Sequence, residues 1–256
     1  MTTTRAIPTE LTVREIAALI DHSLLRPELT EDDVRNGCAL AARYGTFSVC
    51  VKPADVALAA RLLAGTNVAV GAVVGFPHGS STTESKVFET RRALADGARE
   101  IDMVINIGAL RGTKHDYVEA EIAQIVRTTH AAQGLVKVIL ENAYLSDEQI
   151  TEGSRLSERA GAEFVKTSTG FAATGATVHD LLLMAAATTP NMQIKAAGGV
   201  RTLDRVLELV AIGVTRFGAT ATASILDEAA DRSAGGAAVP VPVAPRHEDT
   251  ADADTY

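Results

Sequence analysis

The chain lacks the features that mark several broad classes of protein. It has no tryptophan, and aromatic residues make up only 4% of its 256 residues. Aromatic platforms for nucleic-acid bases are therefore not expected, and branched aliphatic residues and alanine must build the core. The formal net charge of −8, from 24 basic and 32 acidic residues, also argues against a nucleic-acid partner, because such a partner needs a basic face.

Cysteines and long apolar runs are equally scarce. Cys38 and Cys50 are the only cysteines, so neither a disulfide framework nor a zinc-binding spacing is expected. Cys50 has no histidine close to it in sequence and is interpreted as a buried structural thiol. No segment reaches about 18 consecutive apolar residues, and the N-terminus lacks the apolar stretch of a signal peptide. We therefore expect a cytoplasmic protein that has no membrane partner.

The chain does contain a regular alternation of short apolar strands and amphipathic helices. Eight strands are predicted, each followed by a helix, over residues 19–23, 47–51, 68–76, 100–107, 136–141, 164–166, 193–196 and 215–219. Eight such units predict an α/β fold, a single-domain (β/α)8 TIM barrel. An open doubly wound sheet is the alternative, but the glycine-rich turn expected after its first strand is missing.

The composition of the chain changes after residue 232. Residues 1–232 are assigned to the barrel domain. Residues 233–256 are rich in proline, glycine and alanine and then become acidic, which predicts a flexible tail. No internal repeat is evident beyond the alternation of strands and helices.

Two lysines lie where a barrel carries its active site. Lys166 and Lys195 each follow apolar residues and precede glycines, which predicts positions near the C-terminal ends of the sixth and seventh strands. An ammonium group is costly to bury, and both burial and a second ammonium lower the pKa of a lysine. A neutral amine can attack a carbonyl and form a Schiff base, which is an electron sink for breaking or forming carbon–carbon bonds.

Asp102 is predicted to point into the barrel, towards these lysines. In the strand over residues 100–107 the odd positions are all apolar, so the even positions must form the inward face. A carboxylate beside an amine nucleophile can exchange protons with it, whereas a structural lysine–aspartate pair is the alternative. The same search for polar residues at strand ends also selects Asp21, Cys50, Lys52, Asn106, Glu141 and Arg201.

Two glycine-containing loops follow the seventh and eighth strands. Gly198 and Gly199 lie in the first loop, and Gly218 and Thr220 lie in the second. Barrels commonly bind phosphate at these loops, although ordinary tight turns are the alternative and Lys195 could itself bind a phosphate. No cluster of carboxylates and histidines has the spacing of a divalent-metal site, so we predict neither a metal nor another cofactor.

Six motifs together resemble the deoxyribose-phosphate aldolases, a family of class I, Schiff-base aldolases that fold as (β/α)8 barrels. The motifs are Asp21–Pro27, Val49–Val51, Gly75–Gly79, Glu100–Leu110, Phe164–Phe171 and Lys195–Thr202. The resemblance implies reversible cleavage of 2-deoxy-D-ribose 5-phosphate to acetaldehyde and D-glyceraldehyde 3-phosphate, in deoxyribonucleotide catabolism and carbohydrate degradation. It also implies a homo-oligomer, a dimer or larger, that needs no cofactor.

The resemblance further implies roles for single residues. Lys166 corresponds to the lysine that forms the Schiff base, Lys195 to the lysine that lowers its pKa, and Asp102 to the carboxylate that relays protons. Asp21, Ser23 and Thr169 match positions near the substrate hydroxyls. The phosphate cradle is matched by Gly170, Gly198, Gly199, Gly218 and Thr220.

The sequence leaves the roles of two residues open, and it leaves two alternative functions. Lys52 stands where asparagine is common in relatives, and it could place a charge at the pocket rim or be a solvated surface lysine. Tyr256 could take part in proton transfer only if the tail folds back. The alternative functions are a Schiff-base aldolase for a different sugar or sugar phosphate, and a non-catalytic barrel that binds sugar phosphates.

Overall fold

The computed structural model describes residues 6–233 and 236–244 of the chain. Its strands are β1 (Glu10–Leu11), β2 (Ile20–Leu24), β3 (Ser48–Val51), β4 (Ala69–Val74), β5 (Glu100–Val104), β6 (Leu135–Ile139), β7 (Phe164–Lys166), β8 (Gln193–Ala197), β9 (Arg216–Ala219) and β10 (Val239–Pro240). Its α-helices are α1 (Val13–Ala17), α2 (Glu31–Tyr44), α3 (Val56–Leu62), α4 (Thr83–Ala95), α5 (Ile107–Arg111), α6 (His115–His130), α7 (Asp147–Arg159), α8 (Val178–Ala187), α9 (Leu203–Ala211) and α10 (Thr222–Arg232). None of these helices is long and apolar enough to cross a membrane.

Strands β2 to β9 form a closed barrel in which neighbouring strands run parallel. Strand β9 pairs with β2 and closes the ring, and at least one helix connects each strand to the next. The predicted (β/α)8 TIM barrel is therefore confirmed. The open doubly wound sheet is excluded, because closure leaves no edge strand in the sheet formed by β2 to β9.

The two faces of the barrel strands carry different kinds of side chain. Outward-facing residues such as Ile101, Val136 and Ile194 are almost completely buried in one apolar cluster between the strands and the helices. At the alternate positions, Asp102 and Lys137 point into the barrel and bond to each other there. Because strand side chains alternate with a period of two, a shift by one residue would exchange the apolar and charged sets. The register of the strands is therefore strongly specified.

Local capping signals account for several helix boundaries. Thr30 and Asp33 form a capping box at the start of α2, and Gly45 ends that helix with a φ of 67°. Threonine followed three residues later by aspartate, with glycine after the last turn, predicts a helix with these ends from the sequence alone, and the structure confirms it. Ser146 and Gln149 form the same box at the start of α7. Each cap satisfies backbone N–H groups that the first helical turn leaves unpaired, which stabilises the helix by about 1 kcal/mol.

The fourth barrel strand is shorter than the sequence predicts. Strand β5 ends at Val104, and Asn106 instead caps α5, where its Oδ1 accepts a hydrogen bond from the N–H of Ala109 at 3.0 Å. The expectation that Asn106 continues the inward face of the strand is wrong. An asparagine side chain that bonds to the backbone three residues later favours a helix start over a strand.

The described part of the C-terminal tail includes one ordered segment. Val239–Pro240 forms β10, which pairs antiparallel with β1, and Val239 is buried. The N–H of Val241 also donates to the carbonyl oxygen of Thr9 at 2.9 Å. The structure thus places a short strand within the stretch for which a flexible tail is predicted, because an apolar side chain and backbone hydrogen bonds hold it. Tyr256 lies outside the described residues.

Gly79 packs against the backbone just beyond β5. Its φ is 66°, and a Cβ atom there would lie 1.8 Å from the carbonyl oxygen of Ile105. Both the left-handed backbone and the close approach therefore require glycine at this position.

We expect Gly79→Ala to lower the free energy of unfolding by about 3 kcal/mol, the sum of the left-handed backbone cost and an overpacking cost. Gly45→Ala is the matched control, because Gly45 has a φ of 67° but no atom within 4 Å of an added Cβ. The control should lose only about 1 kcal/mol. Urea unfolding of both variants measures the difference, and equal losses would contradict the steric explanation.

Candidate active site

A cleft of about 810 Å³ opens at the C-terminal end of the barrel strands. Its walls come from helix α2, from the ends of β2, β7, β8 and β9 and from the loops that follow these strands. The residues that the sequence analysis selects and that line the cleft are Ser23, Lys166, Thr169, Gly170, Gly198, Gly199, Arg201, Gly218 and Thr220. The proposed amine and the proposed phosphate loops therefore share one cavity, at the end of the barrel where such folds bind their ligands.

Lys166 is the last residue of β7 and lies at the base of this cleft. Its side chain is 3% exposed, and Nζ donates a hydrogen bond to Asp102 Oδ2 at 2.8 Å. Burial lowers the pKa of Lys166, and the ammonium of Lys195 lowers it further, although Asp102 opposes the shift. The net change is downward, which favours the neutral amine that a nucleophile needs.

Lys195 pairs with Lys166 across β7 and β8 but does not line the cleft. Its Nζ donates to Asp102 Oδ2 at 2.8 Å and also to Asp21 Oδ2. Burial by itself would lower the pKa of Lys195, but the two carboxylates outweigh burial and raise it. The two neighbouring lysines therefore differ in both access and charge, since Lys195 is enclosed and stays protonated.

Asp102 joins the two lysines and a third one. Its Oδ2 accepts hydrogen bonds from Lys166 and Lys195, and its Oδ1 accepts one from Lys137 at 2.7 Å. Burial would raise the pKa of Asp102, but the three ammonium groups hold it well below its usual value. Asp102 is therefore an ionised, fully buried carboxylate with an oxygen within proton-transfer distance of Lys166.

Three further charged residues of the barrel interior are absent from the set selected by sequence. Lys137 donates to Glu100 Oε2 at 2.6 Å, and Arg216 bonds to both Glu100 and Asp21. None of the three lies at the C-terminal end of a strand, which is why a search of those ends passes over them. The alternation of side chains carries the missing signal, because Lys137 stands between two valines and Glu100 lies two residues before Asp102.

Asp21, predicted near the substrate hydroxyls, lies beneath the cleft. Its Oδ1 accepts hydrogen bonds from Ser48 Oγ at 2.6 Å and from Arg216 Nε at 2.8 Å, and its Oδ2 accepts one from Lys195. Burial opposes ionisation, but the surrounding cations hold the pKa of Asp21 far below its usual value. The structure thus places Asp21 among the buried charges, while Ser23, two residues later, lines the cleft.

Glu141 holds the loop that follows β7. Its carboxylate accepts hydrogen bonds from the N–H of Thr169 at 3.1 Å and from the Thr169 hydroxyl, and Thr169 Oγ1 accepts one from the N–H of Phe171 at 3.1 Å. The hydroxyl proton of Thr169 is therefore used, so this hydroxyl can only accept a further hydrogen bond. Burial raises the pKa of Glu141, and its bonds to Thr169 oppose that rise.

The loops after β8 and β9 lead from the cleft to the starts of α9 and α10. Gly198 and Gly199 both have a φ of 82°, a conformation that glycine adopts readily. Thr202 caps α9 with its side chain, whereas Ala221 gives α10 no side-chain cap. The N–H groups at a helix start attract anions, and Arg201 adds a positive charge to the same wall of the cleft.

Lys52 and Cys50 do not line the cleft. Lys52 Nζ donates to the carbonyl oxygens of Arg26 at 3.3 Å and Leu29 at 3.0 Å, and lies 3.4 Å from Asp55. It therefore secures the loop after β2 rather than adding a charge to the pocket rim. Cys50 is buried beside Asp102, and burial raises the pKa of its thiol to about 11, so the thiol is uncharged at neutral pH.

The acidic side chains of the barrel interior bond to amines and guanidinium groups. Across residues 6–233 and 236–244, no three histidine, cysteine, aspartate or glutamate side chains come together as ligands for a metal ion. Lys137 and Arg216 bond to Glu100, and lysines surround Asp102. The carboxylates of this site are therefore paired with lysine and arginine side chains.

The fold is a closed (β/α)8 barrel with a cleft at the C-terminal ends of its strands, and comparison with known proteins gives the family. A model of the DeoC/LacD family aldolases matches residues 16–223 of the chain. The chain belongs to this family. It is accordingly an enzyme, a lyase.

Individual relatives are similar over most of their length. The chain is 46% identical over 220 residues to the deoxyribose-phosphate aldolase of Thermococcus kodakarensis, and this match covers 85% of this chain and 98% of the relative. It is 48% identical over 213 residues to the deoxyribose-phosphate aldolase of Bacillus mycoides, and this match covers 82% of this chain and 94% of the relative. The tetrameric deoxyribose phosphate aldolase of Aeropyrum pernix matches with a TM-score of 0.79 and 31% identity, over 85% of this chain and 92% of that one. The resemblance read from the six motifs is therefore confirmed.

His22 contacts the first residue of α10 from strand β2. Its Nδ1 lies 2.8 Å from Thr222 Oγ1, and both residues are buried. Burial lowers the pKa of His22 from 6.5 to about 4. The imidazole is therefore neutral in the folded protein at pH values where the unfolded chain already binds a proton.

We expect His22 to destabilise the protein as the pH falls. Because the unfolded chain binds the proton first, stability is lost between the unfolded pKa of 6.5 and the folded pKa of about 4, and no further below it. Between pH 7.5 and pH 5 this single group should cost about 2 kcal/mol. Urea unfolding of the wild type and of His22→Gln at both pH values provides the measurement. The variant should lose about 2 kcal/mol less, and an identical loss would argue against the assignment.

Proposed function

We propose that the protein catalyses the reversible cleavage of 2-deoxy-D-ribose 5-phosphate to acetaldehyde and D-glyceraldehyde 3-phosphate through a Schiff base on Lys166. One observation carries the mechanism. Among the charged residues that the structure describes inside the barrel, Lys166 alone lines the cleft, and its pKa is lowered. The deoxyribose-phosphate aldolases from Thermococcus kodakarensis and Bacillus mycoides support the choice of substrate.

The neutral amine of Lys166 would attack the aldehyde carbon of the open-chain sugar. Loss of water from the addition product gives an iminium, whose positive charge accepts the electron pair of the carbon–carbon bond that breaks. Removal of the proton from the sugar's 3-hydroxyl releases D-glyceraldehyde 3-phosphate and leaves an enamine. Protonation of that enamine and attack by water then release acetaldehyde and regenerate Lys166.

Asp102 and Lys195 are proposed to control the protons of these steps. Asp102 Oδ2 lies 2.8 Å from Nζ of both lysines, so it can exchange a proton with Lys166 while it remains paired with Lys195. Lys195 keeps its own proton, and its positive charge beside Lys166 favours the neutral form of the nucleophile.

The phosphate group is proposed to lie at the far wall of the cleft. Backbone N–H groups around Gly198, Gly199, Gly218 and Thr220 would hold it, with Gly170 on the neighbouring loop. Arg201 lines the same cavity and supplies a full positive charge. A phosphorylated sugar therefore fits the electrostatics of this wall better than a neutral one does.

We also propose that the enzyme is a homo-oligomer, since the similar enzyme of Aeropyrum pernix is tetrameric. The cytoplasm and a role in deoxyribonucleotide catabolism remain the predicted setting. A different sugar or sugar phosphate is the alternative substrate, because Thr169 matches a position near the substrate hydroxyls and its own hydroxyl proton is donated to Glu141.

Trapping with acetaldehyde and borohydride tests the mechanism. Reduction should fix an ethyl group on Lys166, located by peptide mass, because this amine alone of the barrel lysines reaches the cleft. Lys166→Met should abolish the adduct, while Lys114→Met, at an exposed position, should leave it. An adduct elsewhere, or none, would refute the mechanism. Parallel cleavage assays with 2-deoxyribose 5-phosphate and 2-deoxyribose decide the substrate, and a preference for the unphosphorylated sugar would reject the phosphate site.

We expect Lys195→Leu to reduce kcat at neutral pH by about a hundredfold or more, because the positive charge beside Lys166 is lost and the pKa of Lys166 rises. Part of the activity should return at alkaline pH, where Lys166 again becomes neutral. A kcat profile against pH measures both effects, and circular dichroism checks the fold. Near-normal turnover at neutral pH would contradict this role.

A further inference from the structure

The barrel interior holds a balanced set of opposite charges. Its carboxylates and permanent cations are all at most 4% exposed, and they are Asp21, Glu100, Asp102, Lys137, Lys195 and Arg216. Three negative charges thus face three positive charges when Lys166 is neutral, and protonation of Lys166 adds one uncompensated positive charge. A net charge is costly where water is excluded, so the balance of the whole set opposes protonation of Lys166.

Lys137 and Glu100 connect Arg216 to Asp102, the carboxylate that bonds to Lys166. Lys137 Nζ lies 2.7 Å from Asp102 Oδ1, 2.6 Å from Glu100 Oε2 and 3.7 Å from Asp21 Oδ2. Glu100 also bonds to Arg216. Neither Lys137 nor Glu100 lines the cleft, so neither is placed to touch a substrate.

The titratable groups that face Lys166 or its charged neighbours come from nearly every strand of the barrel. By strand and the loop that follows it, they are Asp21 (β2), Cys50 (β3), His78 (β4), Glu100 and Asp102 (β5), Lys137 and Glu141 (β6), Lys195 (β8) and Arg216 (β9). Cys50 is uncharged at neutral pH, and Glu141, whose carboxylate accepts hydrogen bonds from Thr169, belongs to the loop after β6 and not to the charge set carried by the strands. The charges closest to Lys166 are Asp102 and Lys195. Asp102 in turn bonds to Lys137, and Lys195 bonds to Asp21.

We propose that Lys137 and Glu100 are positioning residues that set the charge balance of the barrel, and thereby the pH at which Lys166 becomes a nucleophile. Loss of the Lys137 charge leaves excess negative charge, which Lys166 offsets by keeping its proton. Loss of the Glu100 charge leaves excess positive charge, and Lys166 then gives up its proton more readily. The two residues bond to each other and yet act in opposite directions on Lys166. This inference rests on the proposed role of Lys166 as the Schiff-base lysine.

Reductive methylation of Lys166 with formaldehyde and cyanoborohydride, followed by peptide mass, measures the pH at which this amine is half reactive. Relative to the wild type, the midpoint should rise by about one pH unit or more in Lys137→Met and fall by a similar amount in Glu100→Gln. The double variant, with two negative and two positive charges left, should return close to the wild type. Lys114→Met and Glu84→Gln remove the same charges at exposed positions and should not move the midpoint.

Shifts of the same sign, or lost activity with an unmoved midpoint, would overturn the proposal in favour of a purely structural role. Circular dichroism at the assay temperature identifies any single variant that fails to fold. The double variant then decides, because it keeps an opposite charge beside each remaining ion, and a displaced midpoint in it contradicts the proposal. Formaldehyde reports amine reactivity whether or not a sugar is cleaved. The predicted midpoint shifts without an acetaldehyde adduct would therefore reject the proposed function alone.

Discussion

The carboxylate of Asp102 is the group on which the rest of the site depends. One of its oxygens accepts hydrogen bonds from Lys166 and Lys195, each at 2.8 Å, and the other accepts one from Lys137 at 2.7 Å. This carboxylate is fully buried, and the neighbouring cations keep it ionised. In return it holds amine groups close together that would otherwise repel one another.

The barrel permits this arrangement because its strands carry two separate sets of side chains. Ile101 and Met103 flank Asp102 in sequence, yet they belong to the apolar layer between strands and helices. That layer supplies the hydrophobic stabilisation, so the interior of the barrel does not have to be apolar. Buried ion pairs contribute little net stability by comparison. The charged interior is therefore best explained by the chemistry at its upper end.

Lys166 and Lys195 differ both in their access to the cleft and in their charge. Lys166 ends its strand and lines the cavity, while Lys195 lies in the middle of its strand beneath it. Asp21 contributes to this difference, because it bonds to Lys195 and not to Lys166. The same buried aspartate that the family resemblance places near substrate hydroxyls thus also keeps the second lysine protonated.

The sequence by itself determined the eight strand–helix units, the cap at Thr30 and the position of Lys166 at a strand end, because periodicity and capping are local properties, whereas Lys195 lies in the middle of its strand. Only the tertiary structure decided which charges meet. Glu100, Lys137 and Arg216 stand on three different strands, and their bonds follow from barrel closure and register. The opposite pKa shifts of Lys166 and Lys195 have the same origin, because a pKa responds to charges that distant segments bring within about 4–6 Å.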